Sequence, residues 1–392
     1  MLNLHKLFLN AGDPDSFDEV IEPTAWQRVV LVEAKNHIRE HLRKRIGAAT
    51  TAKFGMTHVV RPRFRTQGSW TYRTCVQRAH LPPQDMDWDF GVYLPVSVLD
   101  DGRPALMAKQ YFDLVEAALL ELCETHGWTL DRSTDNCVRV RIARWAHIDV
   151  PLYAAPESEF ELIMEKALAS VPKQRSLRAS AALDEAADLD ELPDSFWEEM
   201  DCIHLATRNG EWRPSDPEAV ARWFNDRLDE LGEHGHQLRR VCRYLKAWRD
   251  YQWLTGGPSS VLLMVIVARA FQPVPRRDDL ALENAATLLA RELNGDVRER
   301  EIDDGEEDFN RLDRAQRHDA ATRADHLARQ LRVSRQLGPG LVQTAVDNVR
   351  ELLGPRIPVR RELIVPDNGA DAVVRTPASV ATPAVVGATT SG

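Results

Sequence analysis

Asp87 and Asp89, two residues apart in Met86-Asp87-Trp88-Asp89-Phe90, carry the strongest chemical signal in this chain of 392 residues. Successive side chains alternate along a strand, so two acids at this spacing share one face. Oxygen donors of this kind suit a hard divalent cation such as Mg²⁺, which is commonly held by one or two carboxylates together with substrate phosphates. Asp149, in His147-Ile148-Asp149-Val150, offers a third strand-borne carboxylate. Three such groups would complete a two-metal site for in-line phosphoryl or nucleotidyl transfer. An isolated pair of acids is weak evidence. The ordered set of Gly68-Ser69, the acid pair and the later aspartate is far more specific.

The surrounding segments must position these groups. Phe64 to Thr74 runs from an extended stretch into a turn at Gly68-Ser69 and a short helix. Gly68 permits close backbone approach, and amides exposed at the helix start favour a triphosphate. Ser69 could add a hydroxyl donor, although Gly-Ser also serves as an ordinary loop with a helix cap. Met86, Trp88 and Phe90 face away from Asp87 and Asp89 into a core, which fixes the acids in orientation. Ile148 and Val150 oppose His147 and Asp149 in the same way. Three like charges side by side are tolerated chiefly with a cation among them.

Gln67-Gly68-Ser69-Trp70-Thr71-Tyr72, the run Met86 to Pro95, and His147 to Tyr153 together resemble the bacterial cGAS/DncV-like nucleotidyltransferases of antiphage signalling systems. The likeness extends to Leu245-Lys246-Ala247-Trp248-Arg249-Asp250 and Gly256-Gly257-Pro258-Ser259-Ser260. It covers roughly residues 20 to 360 and is strongest to the DncV branch. The resemblance implies an α+β fold: a polymerase-beta-like nucleotidyltransferase core with a mixed sheet, followed by a helical lobe. It implies that Asp87, Asp89 and Asp149 are catalytic and hold two Mg²⁺ ions. It also implies nucleotide contacts from Gln67, Gly68, Ser69, Trp70, Thr71, Tyr72, Lys246, Ser260 and Asp308, and the joining of ATP and GTP into 3′,3′-cyclic GMP-AMP. Other linkages, or a third nucleotide, stay open.

Several of these residues have a plainer reading. Lys246 shares a helical stripe with Arg239, Arg243 and Asp250, and such a stripe is usually a solvated face. Ser260 can start a helix as well as touch a nucleotide. Tyr72 can stack on a base or fill a core, and Asp308 can read a guanine edge or cap a helix.

Composition fits a large soluble intracellular enzyme. A hydrophobic share of 43% with ten Trp can fill a sizeable core, and the length exceeds one ordinary domain. Cys75, Cys123, Cys137, Cys202 and Cys242 show no C-x-x-C pairing and no disulfide framework, as in a reducing cytosol. The N-terminus has no secretory pattern, and the apolar run Val261 to Ala268 is too short to span a bilayer. A cytoplasmic protein with no membrane association is expected. The net charge of −10 argues against broad nucleic-acid binding, so no nucleic-acid activator is expected. Charge is uneven, however. Ile38 to Arg65 holds eight bases against Glu40, and Asp184 to Asp201 holds nine acids and no base. Most of the basic stretch reads as a solvated helix face, with Arg65 the best exception.

Periodicity predicts an amphipathic helix over Thr24 to Ile46, its apolar stripe Trp26, Val29, Val30, Ala34, Ile38 and Leu42, ended by Gly47. Residues 64 to 155 read as strands with one helix, Ala108 to His126, closed by Gly127. Further helices are expected over Pro217–Leu231, Gln237–Trp253, Ser259–Phe271, Asp278–Leu293, Asp308–Leu331 and Pro339–Leu353. The division expected is an α/β lobe over 1–195 with the acids on one edge of its sheet, a helical lobe over 196–360, and a flexible tail over 366–392.

That tail is Ala, Val, Thr, Pro, Gly and Ser without aromatics, too poor in core-forming surface to order itself. The resemblance implies a possible ubiquitin-activation-like partner enzyme that conjugates Gly392 to targets. Two rivals to cyclic-nucleotide synthesis are addition of nucleotides to an RNA end and an inactive scaffold working through its tail. The intact acids weigh against the second.

Overall fold

The structure, a computed structural model, describes residues 1–52, 59, 61–96, 107–156, 158–163, 197, 200 and 202–367. Gly392, the tail beyond Asp367, Lys53 and residues 184–196 of the acidic run lie outside the described residues. The chain begins with β1 (Leu2–Asn3) and two single turns, α1 (His5–Phe8) and α2 (Phe17–Val20), before the long α3 (Ala25–Ala52). β2 (Arg63–Gln67), the turn α4 (Gly68–Thr71), β3 (Met86–Val96), α5 (Met107–His126), β4 (Thr129–Asp131), β5 (Cys137–Ala143) and β6 (Ala146–Pro156) follow.

These strands form a sheet of order β2-β3-β6-β5-β4, to which β7 (His204–Ala206) and β8 (Trp212–Pro214) attach beyond β6. Only β3 and β6 run parallel among these pairs, so the sheet is mixed as expected. The acids were expected at one edge. They lie instead near the starts of this central parallel pair, because β2 and β5 flank it on either side.

One sheet face is apolar. Trp88, Phe90, Val92, Val140, Ile148 and Val150 from it pack with Leu31, Ile38 and Leu42 of α3 and with Tyr111, Phe112 and Leu119 of α5. The buried stripe of α3 therefore differs from the expected one. Trp26 and Val29 are exposed, while Leu31, Ala34, Ile38, Leu42 and Ile46 are fully covered. Gly47 does not end α3, which runs on to Ala52. Glycine costs a helix only about 1 kcal/mol relative to alanine, too little to break one docked along a sheet. α5 stops as expected, with Gly127 at φ +69°.

The helical lobe comprises α6 (Ala219–Glu230), α7 (Gly235–Gln252), α8 (Ser260–Arg269), α9 (Asp278–Glu292), the turn α10 (Arg300–Asp303), α11 (Arg314–Gln336) and α12 (Val342–Leu353), closed by β9 (Val365–Pro366). α11 starts at Arg314 rather than Asp308, because Asp313 caps it in a capping box with Gln316. Leu2, Leu4, Leu7, Phe8, Phe17 and Ile21 join the core of this lobe, not that of the α/β lobe. β1 pairs with β9, the Asp367 amide donates to the Met1 carbonyl, and Arg277 pairs with Asp367. Ordered contacts thus continue two residues past Val365, into the segment expected to be tail.

Candidate active site

The polar face of the sheet looks toward the helical lobe. Cross-strand register sets Gln67, Asp89, Asp149, Arg139 and Asp131 in one row, and Asp87, His147 and Arg141 in the row beside it. Asp89 and Asp149 are direct neighbours, as their strand positions required.

A cavity of about 220 Å³ opens above this face, lined by Gly68, Ser69, Tyr72, Thr74, Asp87, Asp89, Cys242, Lys246, Ser260, Val261 and Met264. It lies where β3 and the Gly68 turn meet α7 and α8. Gly68 has φ +66°, and a Cβ there would stand 2.0 Å from Asp89 Oδ2. Only glycine lets the turn lie against the carboxylate. Ser69 Oγ is buried without a hydrogen-bond partner among the described residues. A buried hydroxyl left unsatisfied costs free energy, so Ser69 Oγ has a hydrogen bond to offer at the cavity wall.

Lys246 is 4% exposed, so its stripe on α7 is not a solvated face. Residues 17–22 and the 73–85 loop dock on that stripe. Arg243 pairs with Asp18 and Glu22, and Asp250 takes Arg78 and Arg249. Burial lowers the Lys246 pKa, while Cys75 and Asp87 act against it. Ser259 caps α8 through the Leu262 amide. Ser260 follows it facing the cavity, 3.3 Å from Arg249 Nη2.

Other sequence-predicted contacts act from behind. Gln67 Nε2 donates to Tyr93 Oη at 2.9 Å and Gln67 Oε1 accepts from Tyr153 at 3.3 Å, which locks the end of β2. Trp70 stacks on Trp88 with centroids 4.2 Å apart, and its Nε1 holds the Asp87 carbonyl at 2.8 Å. Thr71 Oγ1 donates to the Thr66 carbonyl. None of these three lines the cavity. Tyr72 does so while resting edge-on against Phe224 in the core. Asp308 is neither in the cavity wall nor a helix cap. It accepts the Val297 and Asn310 amides and pairs with Arg317, ordering the approach to α11. Arg65, expected near the site, is buried against Glu218 and 5.4 Å from the Trp197 ring.

The carboxylates are not equivalent. Burial alone would raise the pKa of Asp87, but Arg78, Lys246 and His147 outweigh it and hold the group down at about 2. For Asp89, burial and the neighbouring charges of Asp87 and Asp149 push it up to about 7. Arg78 Nη2 donates to Asp87 at 2.8 Å, and Arg139 grips both Asp149 oxygens at 2.7 Å. The three carboxylates consequently do not converge: among the described residues no group of three His, Cys, Asp or Glu is arranged to hold a metal ion. Asp149 is also absent from the cavity wall. The donor set still fits a hard cation. All three carboxylates offer oxygens on one sheet face, and the negative charge of Asp87 and Asp149 that raises Asp89 is what a cation would offset. The sequence places His147 on the face of Asp149 but gives no role to it, to Arg78 or to Arg139, because pairing across loop and strand is invisible in spacing.

Two family models match the chain. "Cyclic GMP-AMP synthase DncV-like, nucleotidyltransferase domain" covers residues 62–153, and "Cyclic GMP-AMP synthase, C-terminal domain" covers residues 235–366. The chain is 37% identical over 238 residues to the cyclic GMP-AMP synthase of Vibrio cholerae, covering 59% of this chain and 52% of that protein. A cyclic GMP-AMP synthase of Escherichia coli is 37% identical over 243 residues, covering 60% and 54%. The chain thus spans about half the length of the curated relatives it matches. The crystal structure of Vibrio cholerae DncV cyclic AMP-GMP synthase with the linear intermediate 5′ pppA(3′,5′)pG superposes with a TM-score of 0.71 at 25% identity, over 93% of this chain and 98% of that one. With both family models matched in order and the fold shared along nearly the whole length, the chain belongs to the DncV-like nucleotidyltransferases.

Proposed function

We propose that this protein is a Mg²⁺-dependent synthase that joins ATP and GTP into a cyclic dinucleotide, 3′,3′-cyclic GMP-AMP. The observation that carries the reading is the cavity in which Gly68, Ser69, Lys246 and Ser260 face Asp87 and Asp89. That set pairs triphosphate-binding groups with hard-cation ligands. Asp87 and Asp89, with Asp149 alongside, would hold two Mg²⁺ ions, which supply charge neutralisation at the reacting phosphate and a lowered pKa for the attacking ribose hydroxyl. The Gly68 turn brings backbone close to the phosphates, and Ser69 Oγ donates to one of their oxygens. Lys246, a cation in a low-dielectric pocket, draws the triphosphate across the acids. Catalysis is then mainly orientation and charge placement. An α/β lobe and a helical lobe with the cleft between them fit this reading, although the boundary is not at residue 195: β7 and β8 still belong to the sheet, and residues 2–21 belong to the helical core.

Antiphage signalling from the cytoplasm, and conjugation of Gly392 by a ubiquitin-activation-like enzyme, rest on the family resemblance. No helix among the described residues is long and apolar enough to cross a membrane.

Incubation of purified protein with labelled ATP, GTP and Mg²⁺, followed by phosphatase, tests the activity. A phosphatase-resistant dinucleotide with two 3′–5′ linkages is expected. A sensitive ladder means growth on a polymer end, and no product means a scaffold. Changing Asp87 and Asp89 together to Asn should cut synthesis at least about a thousandfold, in line with several kcal/mol of lost metal-assisted stabilisation. Near-wild-type synthesis by that variant would remove the reading.

A further inference from the structure

We propose that Arg139 is a built-in counter-cation for Asp149 that keeps a divalent ion from settling in the nucleotide-free cleft, so that metal enters together with triphosphate. The proposal rests on the reading of the cleft given above. Arg139 lies on β5 directly opposite Asp149 in register, and its Nε and Nη2 each donate to a different Asp149 oxygen at 2.7 Å. The two side chains are only 24% and 13% exposed, so water screens the fork poorly. Bidentate, charge-assisted contacts of this geometry are among the stronger polar interactions in proteins.

The neighbouring acids are already engaged. Arg141 takes Asp131 Oδ2 and Asp85 Oδ2, the Ser133 amide takes Asp131 Oδ1, and His147 Nδ1 lies 3.0 Å from Asp85. Arg139 is thereby directed to Asp149. Arg78 on Asp87 is different, because it is also moored to Asp250 and to the Asp85 carbonyl. Arg139 has no such second anchor among the described residues. It is the cation of the pair that can let go.

Charge makes the consequence definite. Asp87 is paired with Arg78 and Asp149 with Arg139, so each of these two carboxylates already faces a guanidinium. A bare divalent ion arriving at this set must displace a guanidinium to reach Asp149. A triphosphate changes the balance twice over: it brings further oxygen ligands for the ion, and it offers the freed guanidinium an acceptor that suits its planar fork.

The test is free-Mn²⁺ binding to the full-length protein, read by electron paramagnetic resonance, with and without a non-hydrolysable GTP. Without nucleotide, Arg139→Gln is expected to bind Mn²⁺ at least about tenfold more tightly than wild type. Arg139→Lys, which keeps the charge and loses the fork, should fall between them. With the analogue present the three should converge to within about threefold. Circular dichroism checks folding. Should the Gln variant not fold, Arg139→Lys decides: nucleotide-free Mn²⁺ binding tighter than wild type is expected, and equal or weaker binding overturns the proposal. Equal or weaker Mn²⁺ affinity in the nucleotide-free variants overturns the proposal and leaves the cleft reading standing. A wild type that takes up no Mn²⁺ even with the analogue overturns both.

Discussion

Gly68 and Asp89 form a contact that decides much at the residue scale. The turn approaches the carboxylate so closely that a methyl group at position 68 would overlap Asp89 Oδ2, in a conformation L residues also disfavour. Gly68→Ala should therefore cost about 1–2 kcal/mol of stability from the left-handed backbone. Synthesis should fall further than that, by at least about a hundredfold, because Asp89 is displaced. Urea unfolding and product formation measured side by side check this, and a variant losing only stability would free the turn from the site. Lys246 acts through charge. Lys246→Ala should raise the KM for triphosphate by about fivefold to about 150-fold, as about 1–3 kcal/mol of charge-assisted binding is lost. An unchanged KM would make Lys246 a structural cation balancing Asp87.

At the scale of elements, α7 is the hinge of the whole arrangement. Its expected apolar stripe, Leu238, Val241, Cys242, Leu245 and Trp248, is buried. So are Arg243, Lys246 and Asp250 of the polar stripe, where α2 and the 73–85 loop dock, while Arg239 is half-buried. Arg243 Nη2 holds the Asp18 carbonyl at 2.7 Å, Gln84 Nε2 holds the Asp250 and Trp253 carbonyls, and His80 stacks on Tyr251. Docking α2 buries Asp18, and this raises its carboxyl to about 6 even though Arg243 and Arg240 pull it down. A carboxyl raised above its ordinary value of 3.8 contributes stability below about pH 4, and that contribution is lost as pH rises through 6. Asp18→Asn removes the titration. Its stability between pH 4 and pH 7 should decline by on the order of 2–3 kcal/mol less than that of wild type. Matching pH–stability curves for the two proteins would show that Asp18 keeps an ordinary pKa.

For the whole molecule, the two ends of the described chain meet. β1 and β9 pair, Arg277 ties Asp279 to Asp367, and Arg356 spans from the Gln77 carbonyl to the Ala247 carbonyl. Closing the chain this way pins the 73–85 loop, and with it Arg78 and Asp87. Truncation after Asp367 should leave synthesis by purified protein within about twofold of wild type. Truncation after Ile364 removes β9 and the Arg277 partner, and should lower the unfolding midpoint and synthesis together. The shorter deletion should also abolish any adduct made by a ubiquitin-activation-like enzyme. Mass spectrometry locating such an adduct on an internal lysine, with Gly392 free, would end the conjugation proposal.

The sequence by itself determined the parts governed by local periodicity and spacing. Alternation along Met86–Phe90 put Asp87 and Asp89 on one face, Gly127 ended α5, and the motif order identified the family. Apolar residues at three- and four-residue spacing located α7, α9 and α12 to within a few residues. Tertiary structure decided what spacing cannot encode. Which face of α3 is buried depends on the sheet it meets, so Trp26 and Val29 were misassigned. Whether the Arg243–Lys246–Asp250 stripe is wet depends on residues 17–22 and 73–85 folding back across it. Asp308 depends on a loop that turns its carboxylate onto two amides and Arg317. The pairing of Arg139 with Asp149 exists only because β5 and β6 lie in one register, and long-range register is fixed by packing rather than by any local pattern.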